Sequence, residues 1–260
     1  MIQIKNSVQI ESMRRACRVA ADVLDRLCAM VAPGMSTLDL DMEAKALIEQ
    51  YGATSASYNY KVGRLRYPSY ICISVNEEIV HGIARADKIL RMGDIVSLDV
   101  CVYVDGWVGD NARTVSVGPV SQEVERLLRV TREALDIGID LARAGNKVGD
   151  ISHGIQTHVE ASRFGIVREF VGHGVGRGLH EEPQVPNYGQ KGRGPRLVPG
   201  MTICIEPMVT MGSHRLRIGQ DGWVAIASDG KPSAHFEHTV LITETEAEVL
   251  TLPSSGGLSK

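Results

Sequence analysis

The stretch "DVCVYVDGWVGDNA", residues 99–112, predicts a β-hairpin that carries two acidic side chains on one face. Asp105-Gly106 is a strong signal for a two-residue hairpin turn. Counting outward from that turn places Asp110 opposite Cys101, on the face that also carries Asp99, with about 7 Å between the backbones of the two acids. The neighbouring residues are apolar, so at least one acid is expected to be buried, where paired like charges repel unless a proton or a cation lies between them. The alternative is that one acid is simply exposed near a strand end.

Two further acids and a histidine extend this pattern. "MTICIEPMV" places Glu206 at the end of an apolar strand, and "AHFEHTVLI" places Glu237 inside another. Glutamate is almost never fully buried without a partner. The glycine-rich stretch "GHGVGRGLHEEP", residues 172–183, adds His173. Four carboxylates with one imidazole suit divalent ions such as Mn²⁺, Fe²⁺ or Co²⁺, and they exceed the need of one ion, so two ions that share bridging carboxylates are predicted.

Composition excludes several classes of protein. The chain has 260 residues, 43% of them hydrophobic and 23% charged, and a net charge of −3 that gives no general attraction to nucleic acid or anionic membranes. Its five cysteines stand singly, without a C-x-x-C pair, which speaks against a disulfide framework and a structural zinc site. No signal-peptide core and no run of about 18 apolar residues is present. We therefore expect a soluble cytoplasmic protein with no membrane partner and no sequence-specific nucleic-acid partner.

The order of elements repeats along the chain. Helical periodicity predicts helices at about residues 7–31, 37–51, 123–144 and 150–164, and each helix pair is followed by a histidine-glycine segment, His81-Gly82 or His173-Gly174, and then by acid-bearing strands. This predicts two related α/β halves, about residues 7–118 and 119–250, within a single domain of residues 1–252. Residues 253–260 read as a flexible tail. A site shared by the halves is expected at their interface.

The contexts "LDV", "GDNA", "GHGVG", "IEPM" and "FEHT" together resemble the type I methionine aminopeptidases, over about residues 5–250. The resemblance implies the pita-bread fold, an α+β fold of two halves related by a pseudo-twofold axis, with antiparallel strands inside and helices outside. It also implies a metal-dependent hydrolase that removes the N-terminal initiator methionine of nascent proteins through attack of a metal-bound hydroxide on the first peptide bond. Two divalent ions, Co, Mn, Fe or Zn, are implied as cofactors, and a monomer is implied as the oligomeric state.

By the same resemblance, each predicted ligand has a role at the metal centre. Asp99 chelates the first ion, and His173 and Glu206 bind the second. Asp110 and Glu237 bridge the two ions, and Glu206 also serves as the proton shuttle.

The resemblance assigns further side chains to the substrate. His180 faces the scissile carbonyl, and His81 lies near the reacting amide. The residues that would line the substrate pocket are His81, Tyr67, Cys72, Leu179, His180 and Trp223. Asn76 and Ser233 match positions that would help to hold one Na⁺ or K⁺. His235 and His238 flank Glu237 and are expected to be structural or to orient it rather than to bind metal. Cys72, Cys101 and Cys204 lie in strand patterns and are expected to be small core residues rather than nucleophiles.

Two basic stretches stand out against the acidic chain. Residues 63–66 read Gly-Arg-Leu-Arg where many bacterial members of the family read glycine, tyrosine, histidine, glycine, and Lys61 stands where a small uncharged residue is common. This predicts a more basic pocket rim that favours acidic residues further along the substrate. The loop "YGQKGRGPRLVPG", residues 188–200, is either a solvated loop or a contact with ribosomal RNA.

Three other classes of protein share part of this pattern. A proline-directed aminopeptidase or dipeptidase of the same fold would keep all five ligands, but such enzymes usually carry an extra N-terminal domain, whereas the first half here begins almost at Met1. A noncatalytic binding protein on this fold would be expected to have lost ligands, and none is missing. An unrelated interaction module would leave four strand-borne acids without partners. The enzyme is therefore the favoured interpretation.

Overall fold

The computed structural model describes residues 1–254 of the chain. The first part begins with the helices α1 (Ser7–Met30) and α2 (Thr37–Gln50). Seven strands follow: β1 (Thr54–Ser55), β2 (Lys61–Val62), β3 (Leu65–Arg66), β4 (Cys72–Val75), β5 (Glu78–Val80), β6 (Ile95–Val104) and β7 (Trp107–Ser116). Helix α1 begins at an Asn6 cap and α2 at a Ser36 cap, whose side chains accept hydrogen bonds from the backbone N–H groups of Gln9 and Asp39.

The second part repeats the helix pair before its strands. Helices α3 (Gln122–Leu141) and α4 (Val148–Ala161) come first. The strands are β8 (Gly165–Ile166), β9 (Gly172–Gly174), β10 (Glu181–Val185), β11 (Thr202–Ile205), β12 (Met208–Thr210), β13 (Leu216–Ile218), β14 (Ala225–Ala227), β15 (Ser233–His235), β16 (Glu237–Ile242) and β17 (Ala247–Val249).

All four predicted helices are confirmed, and two of them end three residues before the predicted position. Helix α3 was expected to reach Ala144 and ends at Leu141, because the chain turns at Gly145, which has a φ of 91°. Helix α4 was expected to reach Phe164 and ends at Ala161, because Arg163 takes a φ of 59° and reverses the chain.

The hairpin of β6 and β7 has the predicted register. Val104 pairs with Trp107, and Cys101 pairs with Asp110. Its turn residues Asp105 and Gly106 have φ values of 51° and 75°, the left-handed values that a two-residue type I′ turn needs. The acids of the two strands therefore point to the same face.

One antiparallel sheet joins the two parts of the chain. Its strand order is β1-β6-β7-β16-β11-β9-β10, with β4 beside β6 and β17 beside β16. The junction is the pairing of β7 with β16, where Glu237 lies opposite Ala112. Strands from both parts thus contribute to one surface, and the acids of the first part meet those of the second.

The helices cover the outer face of this sheet. One buried cluster packs α1 and α2 on β4 and β6, and a second packs α3 and α4 on β11 and β16. Helix α1 touches β7 directly at Gly109: a Cβ atom there would lie 2.1 Å from the carbonyl oxygen of Ala16. Only glycine allows this approach, which fixes the strand beside Asp110 against the helix.

Strands inside and helices outside agree with the expected arrangement. The single domain of residues 1–252 and the boundary between the halves near residue 118 stay predictions, and most of the predicted tail, residues 255–260, lies outside the described residues. Within residues 1–254, no helix combines the length and the apolar character that a bilayer crossing requires.

Candidate metal centre and substrate pocket

The five residues predicted to bind metal surround one cavity. Its volume is about 300 Å³, and all five line it. Asp99 and Asp110 come from β6 and β7, His173 from the middle of β9, Glu206 from the residue after β11, and Glu237 from the first position of β16. Residues scattered over more than half of the sequence are therefore brought to one place by the sheet.

Their donor atoms form two overlapping groups. Asp110, His173, Cys204 and Glu237 each offer one atom, and these atoms lie within 4.8 Å of one another. Asp99, Cys101 and Asp110 form a second group under the same limit. Asp110 belongs to both groups, so its carboxylate lies between them. Nε2 of His173 is 3.6 Å from Oδ2 of Asp110 and 3.4 Å from Oε1 of Glu206.

The acids lie where a charge is poorly solvated. Burial raises the pKa of Asp99 to about 6. Burial, followed by the charge of Asp99, raises the pKa of Asp110 to about 8. Burial and the neighbouring aspartates also raise the pKa values of Glu206 and Glu237 well above their usual range. Together the four carboxyl groups disfavour full ionisation unless a positive charge joins them.

These residues fit divalent metal ions. Oε1 of Glu237 is buried and has no hydrogen-bond partner within residues 1–254. Buried oxygen atoms without partners are costly, and a cation would satisfy them. The donor set, mainly carboxylate oxygens with one imidazole, is one that hard and borderline divalent ions prefer.

His173 is held in the form that a metal ligand needs. Its Nδ1 donates a hydrogen bond to the carbonyl oxygen of Gly174 over 3.0 Å. The other ring nitrogen, Nε2, then faces Asp110 and Glu206 without a proton. Burial lowers the pKa of His173 to about 4, so the ring is neutral near pH 7.

The two histidines that flank Glu237 differ in position. His235 lines the cavity, with its Nε2 3.7 Å from Oε2 of Glu206, and burial lowers its pKa to about 3. His238 instead bonds through Nδ1 to the hydroxyl of Thr251, at 2.9 Å, and does not line the cavity. Nε2 of His235 is buried without a hydrogen-bond partner in residues 1–254, so the expected orientation of Glu237 by these histidines stays a prediction.

The two histidines assigned to the substrate also line the cavity. His180 is exposed at the opening, and its Nδ1 lies 2.9 Å from the hydroxyl of Tyr60. His81 has a φ of 60°, and its ring meets the ring of Phe170 edge-on at 5.0 Å. Burial lowers the pKa of His81 to about 4, so it is neutral near pH 7. Tyr60 and Phe170 were not identified from the sequence, because only the folded chain brings them to these histidines.

The predicted pocket residues lie at the same cavity. Tyr67, Cys72, Leu179 and Trp223 all line it. The rings of Tyr67 and Trp223 meet edge-on at 5.3 Å, and the Tyr67 hydroxyl donates to the carbonyl oxygen of Gly82. These contacts fix an apolar wall next to the acids. Val62, Phe170 and Met208 add to that wall and were not identified from the sequence.

Asn76 and Ser233 are also neighbours. The backbone N–H of Ser233 donates to the carbonyl oxygen of Asn76 over 2.9 Å, and its hydroxyl donates to the carbonyl oxygen of Glu78 over 3.1 Å. Oxygen atoms from two parts of the chain meet there. The binding of Na⁺ or K⁺ at this point stays a prediction.

Cys101 and Cys204 are buried in the core, as expected, and both also contact an acid of the cavity. The Cys101 sulfur lies 2.9 Å from Oδ1 of Asp110, and the Cys204 sulfur lies 3.8 Å from Oδ2 of the same residue. Burial and the neighbouring acids raise the pKa of each thiol well above its usual value, so both thiols remain protonated donors. The hairpin register already placed Cys101 opposite Asp110, and that signal could have identified it.

Known proteins show which family the chain belongs to. The model of metallopeptidase family M24 matches residues 11–244, and the chain belongs to this family. Methionine aminopeptidase A of Synechocystis sp. is 47% identical over 244 residues, which cover 94% of this chain and 95% of that protein. The crystal structure of methionine aminopeptidase from Thermotoga maritima matches with a TM-score of 0.93 and 43% identity, covering 97% of this chain and 100% of that one.

A more distant structure shares the fold alone. Prolidase from Pyrococcus furiosus matches with a TM-score of 0.76 at 22% identity, covering 95% of this chain and 65% of that one. The comparisons confirm the resemblance to methionine aminopeptidases, the pita-bread fold and the class of metal-dependent hydrolase.

Proposed function

We propose that this chain is a methionyl aminopeptidase with two divalent metal ions, which removes the initiator methionine from new proteins. The observation that carries the proposal is the buried set of acids beside an apolar cavity of about 300 Å³. Asp99 would hold the first ion, His173 and Glu206 the second, and Asp110 and Glu237 both. Bound Mn²⁺, Fe²⁺, Co²⁺ or Zn²⁺ would lower the pKa of a water molecule and polarise the peptide carbonyl.

The side chains around the acids have distinct tasks. The hydroxyl of Tyr60 lies 2.9 Å from Nδ1 of His180. In the tautomer in which this hydroxyl is the donor, His180 carries its proton on Nε2. That N–H is free to donate to the oxygen of the scissile carbonyl as negative charge develops there. Glu206, whose pKa burial raises, is suited to accept a proton and pass it to the departing amine. The apolar wall around Tyr67 and Trp223 suits an unbranched apolar side chain such as methionine.

Matched peptides test this proposal. The purified protein is loaded with Mn²⁺ or Fe²⁺ without oxygen and incubated with peptides that begin Met-Ala, Ala-Ala and Ala-Pro. We expect methionine release to exceed alanine release by about 100-fold or more, because even one methylene in an apolar pocket changes kcat/KM by about 10 to 200-fold. A chelator should abolish release. Cleavage that depends on proline would favour the prolidase alternative instead, and no cleavage with any metal would favour a binding protein.

We also propose that the rim of the pocket favours acidic residues beyond the first substrate residues. The hairpin of β2 and β3 carries Lys61, Arg64 and Arg66, all exposed, and none has a carboxylate within 4.0 Å in residues 1–254. Val62 of the same hairpin lines the cavity. A bound peptide that leaves the cavity would therefore pass close to unpaired positive charge.

Substrate charge tests the rim. Peptides with an acidic third or fourth residue should show a kcat/KM about twofold to fivefold above neutral ones, the size of an exposed ion pair, and salt should remove the difference. The double variant Arg64→Glu, Arg66→Glu should reverse the preference. Equal or poorer cleavage of the acidic peptides by the unaltered protein would exclude this role.

A second basic surface supports the proposal of a transient ribosome contact. Lys191, Arg193 and Arg196 lie in the loop 188–200, which packs on the turn between α3 and α4, near Arg143 and Lys147. The exposed cations of this loop suit the phosphates of RNA. Neutralising the three loop cations should slow release from ribosome-bound chains and leave free peptides unaffected, and an equal effect on both would contradict the contact.

We further propose that the protein acts in the cytoplasm as a monomer. All five cysteines are free, which fits a reducing compartment. Light scattering after size exclusion should give a mass near 28.2 kDa, and a mass near twice that value would contradict the monomer.

A further inference from the structure

The hydrogen bonds to the two aspartates come from thiols. The Cys101 sulfur lies 2.9 Å from Oδ1 of Asp110 and 3.2 Å from Oδ1 of Asp99. The Cys204 sulfur lies 3.8 Å from Oδ2 of Asp110. Cys72, which lies opposite Asp99 across β4 and β6, also hydrogen-bonds that carboxylate, but has no such contact with Asp110 among the described residues. Within residues 1–254, Cys101 is thus the one donor that reaches both acids.

The strand geometry explains this position. Cys101 lies opposite Asp110 across β6 and β7, and it follows Asp99 by two residues on the same strand. Alternate residues of a strand share a face, so all three side chains point into the cavity. The sulfur therefore lies between two carboxylates that belong to different strands.

We propose that Cys101 is a positioning residue of the metal centre, whose thiol holds Asp99 and Asp110 in the geometry that the metal ions require. The inference rests on the metal-binding part of the function proposed above. A carboxylate that binds a metal is oriented by a donor on its other oxygen, and loss of such a partner costs about 10 to 100-fold in metal affinity or activity. No lysine or arginine lies within 4.0 Å of either aspartate among the described residues, and Cys101 is the one thiol there that reaches both.

Cys101 is better placed than Cys204 to position the two aspartates. Its sulfur is closer to Asp110 than the Cys204 sulfur is, and Cys204 also contacts the hydroxyl of Thr239 at 3.4 Å. Cys204 has no hydrogen bond to Asp99 within the described chain. Replacing Cys101 should therefore disturb both aspartates at once.

Metal binding measured without substrate tests the proposal. Mn²⁺ is titrated calorimetrically into the metal-free wild type and into the variants Cys101→Ala and Cys101→Ser. We expect Cys101→Ala to weaken Mn²⁺ binding about 10-fold or more, and Cys101→Ser to stay within about threefold of the wild type, because a hydroxyl can donate in the same place. Cys28→Ala is the matched control, since this half-buried cysteine packs near α2 and does not line the cavity. Melting temperatures of the metal-free forms identify a variant that fails to fold.

Three results would overturn the proposal. The first is a Cys101→Ala protein that binds Mn²⁺ as tightly as the wild type, and the second is a folded Cys101→Ser protein that binds as weakly as Cys101→Ala. An intense near-ultraviolet sulfur-to-metal absorption of the Co²⁺ form that Cys101→Ser removes would make the sulfur a metal ligand instead. Because the titration needs no peptide, a protein that binds metal with the expected dependence on Cys101 but releases no methionine would contradict the proposed function alone.

Discussion

Asp110→Asn is expected to lower methionine release by more than about 100-fold. Asparagine keeps the shape of the side chain but removes the charge shared by both donor groups. Loss of a side chain that only orients a metal ligand lowers metal affinity or activity about 10 to 100-fold. Loss of a ligand that belongs to both donor groups should therefore lower activity further. In the metal-free protein at pH 8 the same change should raise the melting temperature, because it removes a buried carboxyl whose pKa burial raises to about 8.

The two opposite effects make the measurement decisive. Release is followed with a Met-Ala peptide at saturating Mn²⁺, and unfolding is followed in the presence of a chelator. Asp105→Asn is the control, because Asp105 is exposed in the hairpin turn of the same two strands and asparagine tolerates its φ of 51°. If Asp110→Asn kept more than a tenth of the activity, or lowered the metal-free melting temperature, Asp110 would be a structural residue.

The metal-free wild type is expected to lose stability as the pH rises from 6.5 to 8. Asp110, Glu206 and Glu237 have higher pKa values in the folded chain than in the unfolded chain, so the folded protein keeps protons that the unfolded chain has lost. Stability is then greatest on the acid side and falls by about 1.4 kcal/mol per pH unit for each carboxyl that stays protonated. The buried histidines have lowered pKa values and act in the opposite direction, but only below about pH 6.5.

Divalent metal should reverse this loss. Mn²⁺ at about 100 times its Kd raises the free energy of unfolding by about 2.7 kcal/mol. For a domain of this size, this corresponds to a rise of roughly 5 to 10 °C in the melting temperature. The increase should be larger at pH 8 than at pH 6.5, because protons compete with the metal for the carboxylates. Calorimetric scans at both pH values, with and without Mn²⁺, measure it, and Asp110→Asn should respond less. A metal-free melting temperature that rises with pH, or a metal effect equal at both pH values, would contradict the buried acids as the site.

Much of the fold followed from local patterns. The Asp105-Gly106 turn predicted the register of β6 and β7, and that register is confirmed pair by pair. The helix starts near residues 7 and 37 followed from helical periodicity, and the structure adds the caps at Asn6 and Ser36. The ends of α3 and α4 could not be predicted in this way. Each end depends on a residue with positive φ, which helical periodicity does not reveal.

The sequence by itself determined which residue types could form a metal centre: acids set into apolar strands at Asp99, Asp110, Glu206 and Glu237, with His173 in a glycine-rich segment. It could do so because a strand has a period of two residues and a buried carboxylate needs a partner, and both are local properties. Only the tertiary structure decided that Tyr60 would hold His180, that Phe170 would pack on His81, and that Cys204 would reach Asp110. Those contacts join residues from 89 to 120 positions apart. They arise from the pairing of β7 with β16 and of β9 with β11. These pairings are long-range, so no short window of the sequence contains them.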